Sequence, residues 1–400
     1  MKIETQRFID RYVGSLICRI FSLYYRIVKK EPATPETKKI LIILLSEMGA
    51  LVLAHPMFQR LKEKYPRAGL HVMLFEKNRE VVELLELVPP ENIITIKDTS
   101  ILTFILDTLK GMFSMRKLKF DTVIDCELFS RISSILAFLS GAAVRVGFHA
   151  HTQEGLYRGN FINRPVLYNP YHHISRQFLT LVEAIDSSSH PRAKYRVPPQ
   201  QLKIPAIKVT SQEIEKARNR LFAKAPELEG KKLVLIYPGG GLLPIRAWPI
   251  ENYCTLAEAL LHRGYAVCVI GLAQDKQIAA VILSHTRSLN CVDLTGYTQT
   301  IRELMLIFHF ASLLITNDGG PGHFAAMTPI PSIIFYGPET PTLYGPLDQK
   351  AGNIFLGLSC SPCVTAYNHR NSPCDGDNLC LKKIEPDYVL SKALEILESQ

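Results

Sequence analysis

The chain has 400 residues, of which 47% are hydrophobic and 21% are charged, and its formal net charge is +9. This length suits about two to three domains of ~150 residues, and the composition excludes a disordered chain, a fibrous chain and a small disulfide scaffold. No apolar run reaches the ~18 to 20 uncharged residues that span a bilayer, so we expect no transmembrane helix. Residues 1–30 carry seven Lys and Arg against two acidic residues, which is +5 of the +9. The positive charge therefore belongs mainly to one segment, and we expect no nucleic acid partner.

The N-terminal segment, residues 1–38, has the pattern of a basic amphipathic helix. Apolar residues between Phe8 and Val28 recur at spacings of three and four, which places them on one helical face. The polar residues that fall largely on the other face are Arg11, Ser15, Arg19, Ser22 and Arg26. Such a helix is typical of segments that lie on an anionic membrane surface, and this one lacks the cleavage site of a secretory signal. A helix packed on the protein's own core, or a dimer contact, would show the same pattern.

Residues 39–190 alternate apolar runs with helical patterns. Residues 40–45 are all apolar, which is typical of a strand buried on both faces of a parallel sheet. A turn at residues 46–50 and a helical pattern follow, and this order opens a doubly wound α/β unit. Further strands are predicted at 70–75, 93–96 and 122–125, and helices at 79–87, 103–118 and 130–139. Residues 149–175 contain four His with little periodicity and are predicted to form a solvated loop, with a polar surface for the acceptor as the alternative. The four His are not spaced like a metal site.

A Ser- and Pro-rich stretch over residues 186–206 separates this half from a second one, and we place the linker at residues 191–206. Residues 207–385 again alternate strands with helices. Strands are predicted at 233–237, 266–270, 313–316 and 332–336, and helices at 250–263, 274–284, 300–311 and from about 320. Residues 386–400 are predicted to contain a final amphipathic helix. The sequence therefore predicts two doubly wound α/β domains.

Three consecutive glycines follow the strand predicted at 233–237. Gly239, Gly240 and Gly241 would let backbone N–H groups approach a phosphate closely. Arg246 lies just downstream and would add a charge-assisted hydrogen bond. The motif is neither a Rossmann fingerprint nor a Walker loop. A tight turn followed by a surface arginine is the alternative interpretation.

A second glycine-rich segment lies between the strand predicted at 313–316 and an apolar helix. Its residues are Asn317, Asp318, Gly319, Gly320, Pro321, Gly322 and His323. Glycines before a helix N-terminus favour an anion, and proline fits the first helical turn. We expect Asp318 to cap the helix or to orient a donor, and His323 to donate to a phosphate oxygen. An ordinary strand–turn–helix is the alternative, but two such segments in one half favour a diphosphate ligand.

Five segments in chain order resemble glycosyltransferase family 9, the ADP-heptose:lipopolysaccharide heptosyltransferase family. These segments are 46–49, 145–148, 246–249, 318–323 and 335–338. The resemblance implies a GT-B fold, in which two Rossmann-like domains face a cleft and no metal binds the nucleotide. It also implies that residues 39–190 bind the acceptor, that residues 207–385 bind the sugar nucleotide, and that the C-terminal helix crosses back onto the N-terminal domain.

The resemblance further implies an inverting transfer, in which an acceptor hydroxyl attacks as the nucleoside diphosphate leaves. Arg246, the glycine loop and residues 318–323 match the donor side of the family. Residues on the acceptor side would be Ser46, Met48, Gly49, Glu127 and Arg145. The family usually has an Asp base at the position of Ala50, which cannot accept a proton. Glu47 is the nearest substitute, and the alternatives are Asp125 or Glu127.

Four of the nine cysteines cluster near the C-terminus with the spacing C-x2-C-x10-C-x5-C. They are Cys360, Cys363, Cys374 and Cys380. This pattern is typical of a four-thiolate zinc site, in which His369 could replace one ligand, and thiolates also hold iron–sulfur clusters. Free thiols are an alternative, as are disulfides, which a reducing cytosol disfavours. A bound metal would have a structural role.

The sequence as a whole predicts a glycosyltransferase that moves a sugar to a lipopolysaccharide-core or other lipid-linked acceptor. The default donor is ADP-heptose. We expect it on the cytoplasmic face of the cell membrane, with no cofactor for catalysis. Because Ala50 replaces the usual Asp, the alternative is a degenerate member that binds a sugar nucleotide without transferring the sugar.

Overall fold

The computed structural model describes residues 3–28, 36–45, 47–128, 130–149, 157–188, 191–198, 202–241, 243–348, 350–367 and 371–400. The chain divides into two compact units. One consists of Met1–Lys203 with Thr365–Arg370, and the other of Ile204–Val364 with Asn371–Gln400. None of the helices in the described ranges combines the length and the apolarity that crossing a bilayer requires.

The first unit contains a sheet of six parallel strands. In chain order they are β1 (Lys39–Ile43), β2 (Gly69–Phe75), β3 (Ile93–Ile96), β4 (Thr122–Asp125), β5 (Val144–Phe148) and β6 (Arg164–Val166). The helices are α1 (Ile3–Ile9), α2 (Ser15–Val28), α3 (Met48–Lys64), α4 (Arg79–Leu84), α5 (Ile101–Leu118), α6 (Arg131–Leu139) and α7 (Ile174–Glu183). A π-helical turn, Asp10–Gly14, joins α1 to α2. The strand order is β3-β2-β1-β4-β5-β6, and the central strand β1 is buried over residues 40–43, as its apolar run predicts.

The second unit contains another sheet of six parallel strands. They are β7 (Leu233–Tyr237), β8 (Ala266–Gly271), β9 (Cys291–Thr295), β10 (Leu313–Asn317), β11 (Ser332–Tyr336) and β12 (Ala351–Phe355). The helices are α8 (Ser211–Lys224), α9 (Ile250–His262), α10 (Lys276–Thr286), α11 (Ile301–Phe308), α12 (Gly320–Ala325), α13 (Pro341–Tyr344), α14 (Leu379–Lys382) and α15 (Pro386–Glu398). The strand order is β12-β11-β10-β7-β8-β9, so both sheets have the same doubly wound topology. The predicted α/β class is confirmed.

Several elements were missed because their apolar pattern is interrupted. Helix α7 begins inside the predicted His-rich loop, where His173 accepts a hydrogen bond from the backbone N–H of Ser175. Buried polar residues such as Ser175 and Gln177 break the apolar period of this helix. Strand β12 is an edge strand with exposed residues, so it lacks the continuous apolar run of the central strands.

The N-terminal helix is part of the first unit. Its buried side consists of Gly14, Cys18 and Ser22, and Cys18 belongs to the unit's main hydrophobic core. The Ser22 hydroxyl accepts hydrogen bonds from Tyr157 Oη (2.6 Å) and from the backbone N–H of Asn160 (2.8 Å). Ser22, which the sequence places on the polar face of the helix, is therefore buried, and the alternative of packing on the protein's own core is partly confirmed.

Asp10 ties this segment to α6. Its carboxylate accepts hydrogen bonds from the backbone N–H groups of Arg131 (2.8 Å) and Ile132 (2.9 Å), at the N-terminus of α6. A carboxylate at this position satisfies unpaired N–H groups of the helix. A side chain at Gly14 would meet Arg131, since an added Cβ would lie 2.9 Å from Arg131 Cβ. The contact between the two segments is therefore close as well as polar.

Deleting residues 1–30 is consequently expected to destabilise the first unit. The deletion would expose the Cys18 side of the core and leave the N-terminus of α6 uncapped. A lost cap removes about 1 kcal/mol, and each uncovered apolar side chain about 1.5–3 kcal/mol, so the melting temperature should fall by roughly 5 °C or more. Thermal unfolding followed by circular dichroism measures this. Ile27→Asp, which changes a 75% exposed residue of α2, is the control and should melt like the wild type.

The C-terminal helix α15 packs within the second unit. Val389, Ala393 and Leu397 are fully buried in the unit's core cluster, against α9 and β10. The expectation that this helix crosses back onto the N-terminal domain is wrong. Its apolar stripe fits the helix layer of its own sheet, which a sequence pattern alone cannot assign to one sheet or the other.

Candidate functional site

The strand order reverses in both sheets between the first and fourth strands, which are β1 and β4 in one unit and β7 and β10 in the other. In open α/β sheets ligands bind outside the carboxyl ends of the strands at this position. Glu47 and Glu127 follow β1 and β4, and Gly239 and Asp318 follow β7 and β10. The topology therefore places the predicted residues of each half at the switch point of its own sheet.

Asn317, the last residue of β10, holds the second unit's site together. Its fully buried amide accepts hydrogen bonds from Trp248 N (2.9 Å) and Tyr253 Oη (3.2 Å). The same amide donates to the carbonyl oxygens of Pro238 and Gly239, each at 3.0 Å. Asn317 therefore fixes the glycine loop to the end of β10. The glycine-rich motif by itself indicates no role for Asn317, although an Asn that ends a buried strand is a usable signal.

The glycine loop is a tight turn. A Cβ at Gly240 would lie 2.8 Å from Pro244 Cα, and Gly241 has a φ of +58°, which other residues rarely adopt. Gly239, the first glycine of the loop, is buried. The loop is therefore a tight turn, as the alternative interpretation states. The turn itself requires glycine at Gly240 and Gly241, whether or not a phosphate binds there.

Arg246 is not the surface arginine of that alternative. It ends a 3₁₀ turn, Pro244–Arg246, and its side chain is only 12% exposed. Its Nη2 donates to Glu339 Oε2, and its Nε lies 3.5 Å from Asp318 Oδ2. Both carboxylate side chains are buried, at 3% and 6% exposure. The three side chains form a charged cluster, which we call the Arg246 cluster.

Asp318 belongs to this cluster and does not cap α12. The N-cap residue of α12 is Gly319, and no side chain accepts a hydrogen bond there. The predicted capping role of Asp318 is therefore wrong, whereas its contact with Arg246 suits the other prediction, that it orients a donor. Glu339 was missed, although it directly follows segment 335–338, because no local pattern marks it as the partner of a residue 93 positions away.

The Arg246 cluster contains one guanidinium and two carboxylates. Burial lowers the pKa of Arg246, but Glu339 and Asp318 outweigh this effect, so the pKa is raised. Burial raises the pKa of Glu339 to about 8, with Arg246 opposing and Asp318 reinforcing the shift. One guanidinium neutralises one carboxylate, so the second carboxylate favours the protonated form. The net charge of the cluster therefore becomes one unit more negative as the pH rises through about 8 and Glu339 loses its proton.

Helix α12 has six residues and follows Gly319 directly. Pro321 lies in its first turn, as predicted. A Cβ at Gly322 would lie 2.7 Å from Ile334 Cδ1, so this glycine permits close packing of α12 on β11. His323 lies in the body of the helix and is 6% exposed. The structure thus brings residues 318–323 and the glycine loop to one edge of the sheet, with His323 buried behind that edge.

In the first unit, Glu47 is the N-cap residue of α3. Its backbone is extended, its side chain makes no capping hydrogen bond, and the residue is partly exposed. Met48 and Gly49 begin the helix, and Ala50 lies in its first turn. Ser46 lies outside the described residues. Glu47 and Ala50 therefore share one helix N-terminus, at the carboxyl edge of the sheet.

Glu127 lies at the same turn, because its Oε1 accepts a hydrogen bond from Leu45 N at 2.6 Å. Asp125 does not face solvent. Its side chain is fully buried, pairs with Arg158 and accepts a hydrogen bond from Ser133 Oγ at 3.1 Å. Burial raises the pKa of Asp125 to about 6, and Arg158 opposes this shift. The alternative that Asp125 acts as the base is wrong, because no acceptor hydroxyl can reach a fully buried carboxylate.

Arg145 lies apart from these carboxylates. It is the second residue of β5, at the amino edge of the sheet, and its Nε donates to the carbonyl oxygen of Phe161 at 2.8 Å. Its guanidinium lies 5.1 Å from the ring centre of Tyr25 and 5.7 Å from that of Phe138. The structure therefore places Arg145 against the N-terminal helix and does not bring it together with Glu47 and Glu127.

All nine cysteines are free thiols, so the disulfide alternative is not what the structure contains. Of the clustered four, Cys360 and Cys374 are exposed, Cys363 is half-buried and Cys380 is buried. Within the described ranges, which omit His369, no group of three or more His, Cys, Asp or Glu side chains is arranged to hold a metal ion. Zinc or an iron–sulfur cluster stays a prediction of the sequence, and elemental analysis of the purified protein checks it.

The cysteine loop nevertheless supports the site. The backbone N–H of Cys363 donates to the carbonyl oxygen of Pro338 at 3.0 Å, next to Glu339. Asn378 Nδ2 donates to the carbonyl oxygen of Ile245 at 2.6 Å, next to Arg246. The segments on both sides of the loop therefore hold the backbone that carries the Arg246 cluster.

Residues 111–372 match the sequence model of glycosyltransferase family 9 (heptosyltransferase), which is more than half of the chain. The chain belongs to glycosyltransferase family 9. The match to the glycosyltransferase family 9 model includes the glycine loop, the Arg246 cluster and residues 318–323 of the second unit. In the first unit it includes Glu127 and Arg145, whereas Glu47 and the N-terminal helix lie before it.

Similar proteins cover nearly the whole chain. The lipooligosaccharide heptosyltransferase 2 of Haemophilus ducreyi is 27% identical over 366 residues, which cover 90% of this family 9 chain and 99% of the relative. The structure of the E. coli ADP-heptose lipopolysaccharide heptosyltransferase II has a TM-score of 0.69 at 23% identity, covering 90% and 99% of the two chains. The E. coli heptosyltransferase WaaC with ADP has a TM-score of 0.61 at 16% identity, covering 89% and 99%. The predicted GT-B fold class is confirmed.

Proposed function

We propose that this protein is an inverting heptosyltransferase that moves heptose from ADP-heptose to a lipopolysaccharide-core acceptor. The observation that carries the proposal is the buried Arg246 cluster, which lies between two glycine-rich segments at the switch point of the second sheet. The names of the relatives support the sugar and the acceptor class. The ADP in the WaaC structure supports the base of the nucleotide.

The second unit binds the donor in this proposal. Backbone N–H groups of the glycine loop and of residues 319–320 contact the diphosphate, and Arg246 donates charge-assisted hydrogen bonds to the leaving ADP. Asp318 and Glu339 hold the guanidinium in place, which removes the reorganisation that a mobile arginine would need. In this proposal no metal ion takes part, and N–H groups of the guanidinium and of the backbone supply the hydrogen bonds to the diphosphate.

The first unit supplies the base. Glu47 lies at the N-terminus of α3, partly exposed and at the sheet's switch point, so its carboxylate can take the proton of an acceptor hydroxyl. Glu127 orients this turn through its hydrogen bond to Leu45 N. In this arrangement Glu47 replaces the Asp that the family carries at the position of Ala50.

The N-terminal helix holds the enzyme on the anionic inner face of the cell membrane, where a lipid-borne acceptor is confined. The structure divides its apolar residues into a buried side and an exposed side. The exposed residues include Leu16, Ile20 and Ile27, at 59%, 55% and 75% exposure. An apolar helix face flanked by Arg side chains suits the headgroup region of anionic lipid.

The test of the function is transfer itself. The purified protein is incubated with ADP-heptose and a heptose-deficient lipopolysaccharide acceptor, and ADP release and acceptor mass are followed. A thermal-shift panel of ADP-, UDP-, GDP- and CDP-sugars identifies the donor, since a ligand that binds only the folded state raises its melting temperature. Stabilisation by another nucleotide but not by ADP compounds would overturn the heptose assignment.

The second candidate function is sugar-nucleotide binding without transfer, and Ala50 is the observation that favours it. In that case ADP-heptose would stabilise the protein but no ADP would be released with any acceptor. Glu47→Gln would then leave every measured property unchanged. Acceptor-dependent ADP release excludes this candidate.

Donor binding is expected to weaken as the pH rises through about 8. Above this pH Glu339 is ionised and the Arg246 cluster carries one more negative charge, which opposes a diphosphate. The wild type should lose about tenfold in ADP affinity between about pH 7 and about pH 9, whereas Glu339→Gln should keep its affinity. Isothermal titration calorimetry measures both. Glu227→Gln, which changes an exposed carboxylate of the same unit, is the matched control.

The free energy of unfolding should also fall as the pH rises. Folding raises the pKa of Glu339 from about 4.5 to about 8, so its contribution to stability is present below the lower value and is lost as the pH rises through the higher one. Between these two pKa values, the free energy of unfolding of Glu339→Gln should therefore change less with pH than that of the wild type. For the affinity prediction, an equal loss of ADP affinity in the wild type and in Glu339→Gln as the pH rises would contradict the assignment of the titration to Glu339.

A further inference from the structure

Large hydrophobic side chains that are exposed are concentrated in two elements. Among the described residues there are 22 of them; nine lie between Phe8 and Val28 and six lie on α5. The other seven are scattered singly over both units. Scattered apolar residues are normal on protein surfaces, whereas a contiguous apolar patch marks an interaction site. The N-terminal helix already has a proposed partner, and α5 has none.

Helix α5 has an inner face and an unusual outer face. Gly111 and Met115 are buried on its inner side, and a Cβ at Gly111 would lie 3.3 Å from Met73 Cε. Its exposed residues are Ile101, Leu102, Ile105, Leu106, Leu109 and Phe113. Their spacing places them on one side of the helix, and Phe113 is 77% exposed. A surface helix normally carries polar residues on this side.

The C-terminal ends of α2 and α5 are neighbours. Arg116, in the last turn of α5, lines one pocket of about 320 Å³ together with Tyr24, Tyr25 and Val28 from the end of α2. Both helices also pack against the same hydrophobic core of the first unit. The C-terminal ends of the two helices therefore meet at this pocket, and the exposed apolar face of each helix leads away from it. We call these faces, with the pocket, the two-helix surface.

Positive charge accompanies the apolar residues on both elements. Residues 101–119 carry Lys110, Arg116, Lys117 and Lys119 against Asp107, which is +3, in addition to the +5 of residues 1–30. Two copies of such a strongly basic surface would repel each other, which disfavours a second copy of this chain as the partner. Apolar side chains bordered by Lys and Arg complement a bilayer of anionic lipid, which offers hydrocarbon and phosphate together.

We propose that α5 is a second membrane-binding element and that the two-helix surface binds an anionic phospholipid bilayer. The apolar side chains of α5 enter the headgroup region beside those of α2. Arg116, at the pocket, pairs with a lipid phosphate. The inference deepens the membrane contact of the proposed function, but it requires neither donor binding nor sugar transfer.

The test is co-sedimentation of the full chain with vesicles in the absence of any sugar nucleotide. Vesicles of phosphatidylcholine alone are compared with vesicles that also contain phosphatidylglycerol. Phe113→Asp is expected to weaken binding to the anionic vesicles by about tenfold or more. Tyr171→Asp is the matched control, since Tyr171 is an 82% exposed aromatic residue of the same unit outside both helices, and it should bind as the wild type. Arg116→Ala should weaken binding only to the anionic vesicles.

Three results would overturn the proposal. Unchanged vesicle binding by Phe113→Asp, with weakened binding by Ile27→Asp, would confine membrane contact to the N-terminal helix. A dimer that Phe113→Asp dissociates, seen by light scattering, would show that a second copy covers α5. Equal binding to neutral and anionic vesicles would remove the role of the basic residues. Melting temperature and ADP binding of Phe113→Asp are measured alongside, and both should match the wild type, so a folding defect or an inactive enzyme is distinguished from a lost membrane contact.

Discussion

Glu47→Gln is expected to lower kcat by about 10²- to 10⁴-fold while leaving the Kd for ADP unchanged. A general base contributes this much because it takes the proton of the attacking hydroxyl in the transition state, and glutamine cannot. Glu47 belongs to the first unit and has no part in the Arg246 cluster, so donor binding should not respond. Steady-state kinetics of ADP release and calorimetry with ADP give the two quantities separately.

Two further variants make this result specific. Ala50→Asp in the Glu47→Gln background places a carboxylate in the first turn of α3, three residues after Glu47, and it should recover part of the lost rate. Glu127→Gln removes the hydrogen bond to Leu45 N and should have a smaller effect than Glu47→Gln, since it acts only by orienting the turn. Full activity of Glu47→Gln together with an inactive Glu127→Gln would assign the base to Glu127 instead.

Arg246→Gln is expected to weaken ADP binding by about 10- to 150-fold. Charge-assisted hydrogen bonds of a buried guanidinium to a diphosphate contribute about 1.5–3 kcal/mol, and this substitution removes them. It also leaves Glu339 and Asp318 buried without their cation, which lowers stability. Calorimetry measures the affinity, and thermal unfolding measures the stability.

The loss of stability is separated from the loss of binding by a double variant. Above about pH 8, where the wild-type Glu339 is ionised, Arg246→Gln with Glu339→Gln removes one charge of each sign and should regain stability relative to the single variant. Its ADP affinity should remain far below that of Glu339→Gln alone, which keeps the arginine. Wild-type affinity in the double variant would exclude Arg246 as the residue that binds the diphosphate.

Much of the site's location was predictable because of how parallel sheets are built. Continuous apolar runs identified the central strands, and the turns that follow such strands all lie at one edge of a sheet. Glu47, the glycine loop and residues 318–323 were therefore placed correctly at the carboxyl edges. Arg145 was not placed correctly, because the sequence around it does not indicate which end of its strand the arginine occupies.

The contacts between these turns could not be predicted in the same way. Asn317 joins the glycine loop to β10 across a separation of 78 residues, and Glu339 reaches Arg246 across 93. No local pattern encodes a pair at such a distance. Only the crossover topology, which sets β10 beside β7 and β11 beside β10, brings these side chains into one buried cluster.

The N-terminal helix shows the same division. The sequence by itself determined that residues 8–28 form an amphipathic helix and that +5 of the net charge lies in residues 1–30, because helical periodicity and charge are local properties. Only the tertiary structure decided which residues of the helix are buried, since Cys18 and Ser22 are covered by a core assembled from distant segments. What remains uncovered, on this helix and on α5, is fixed by that packing, and it is this remainder that is available to a membrane.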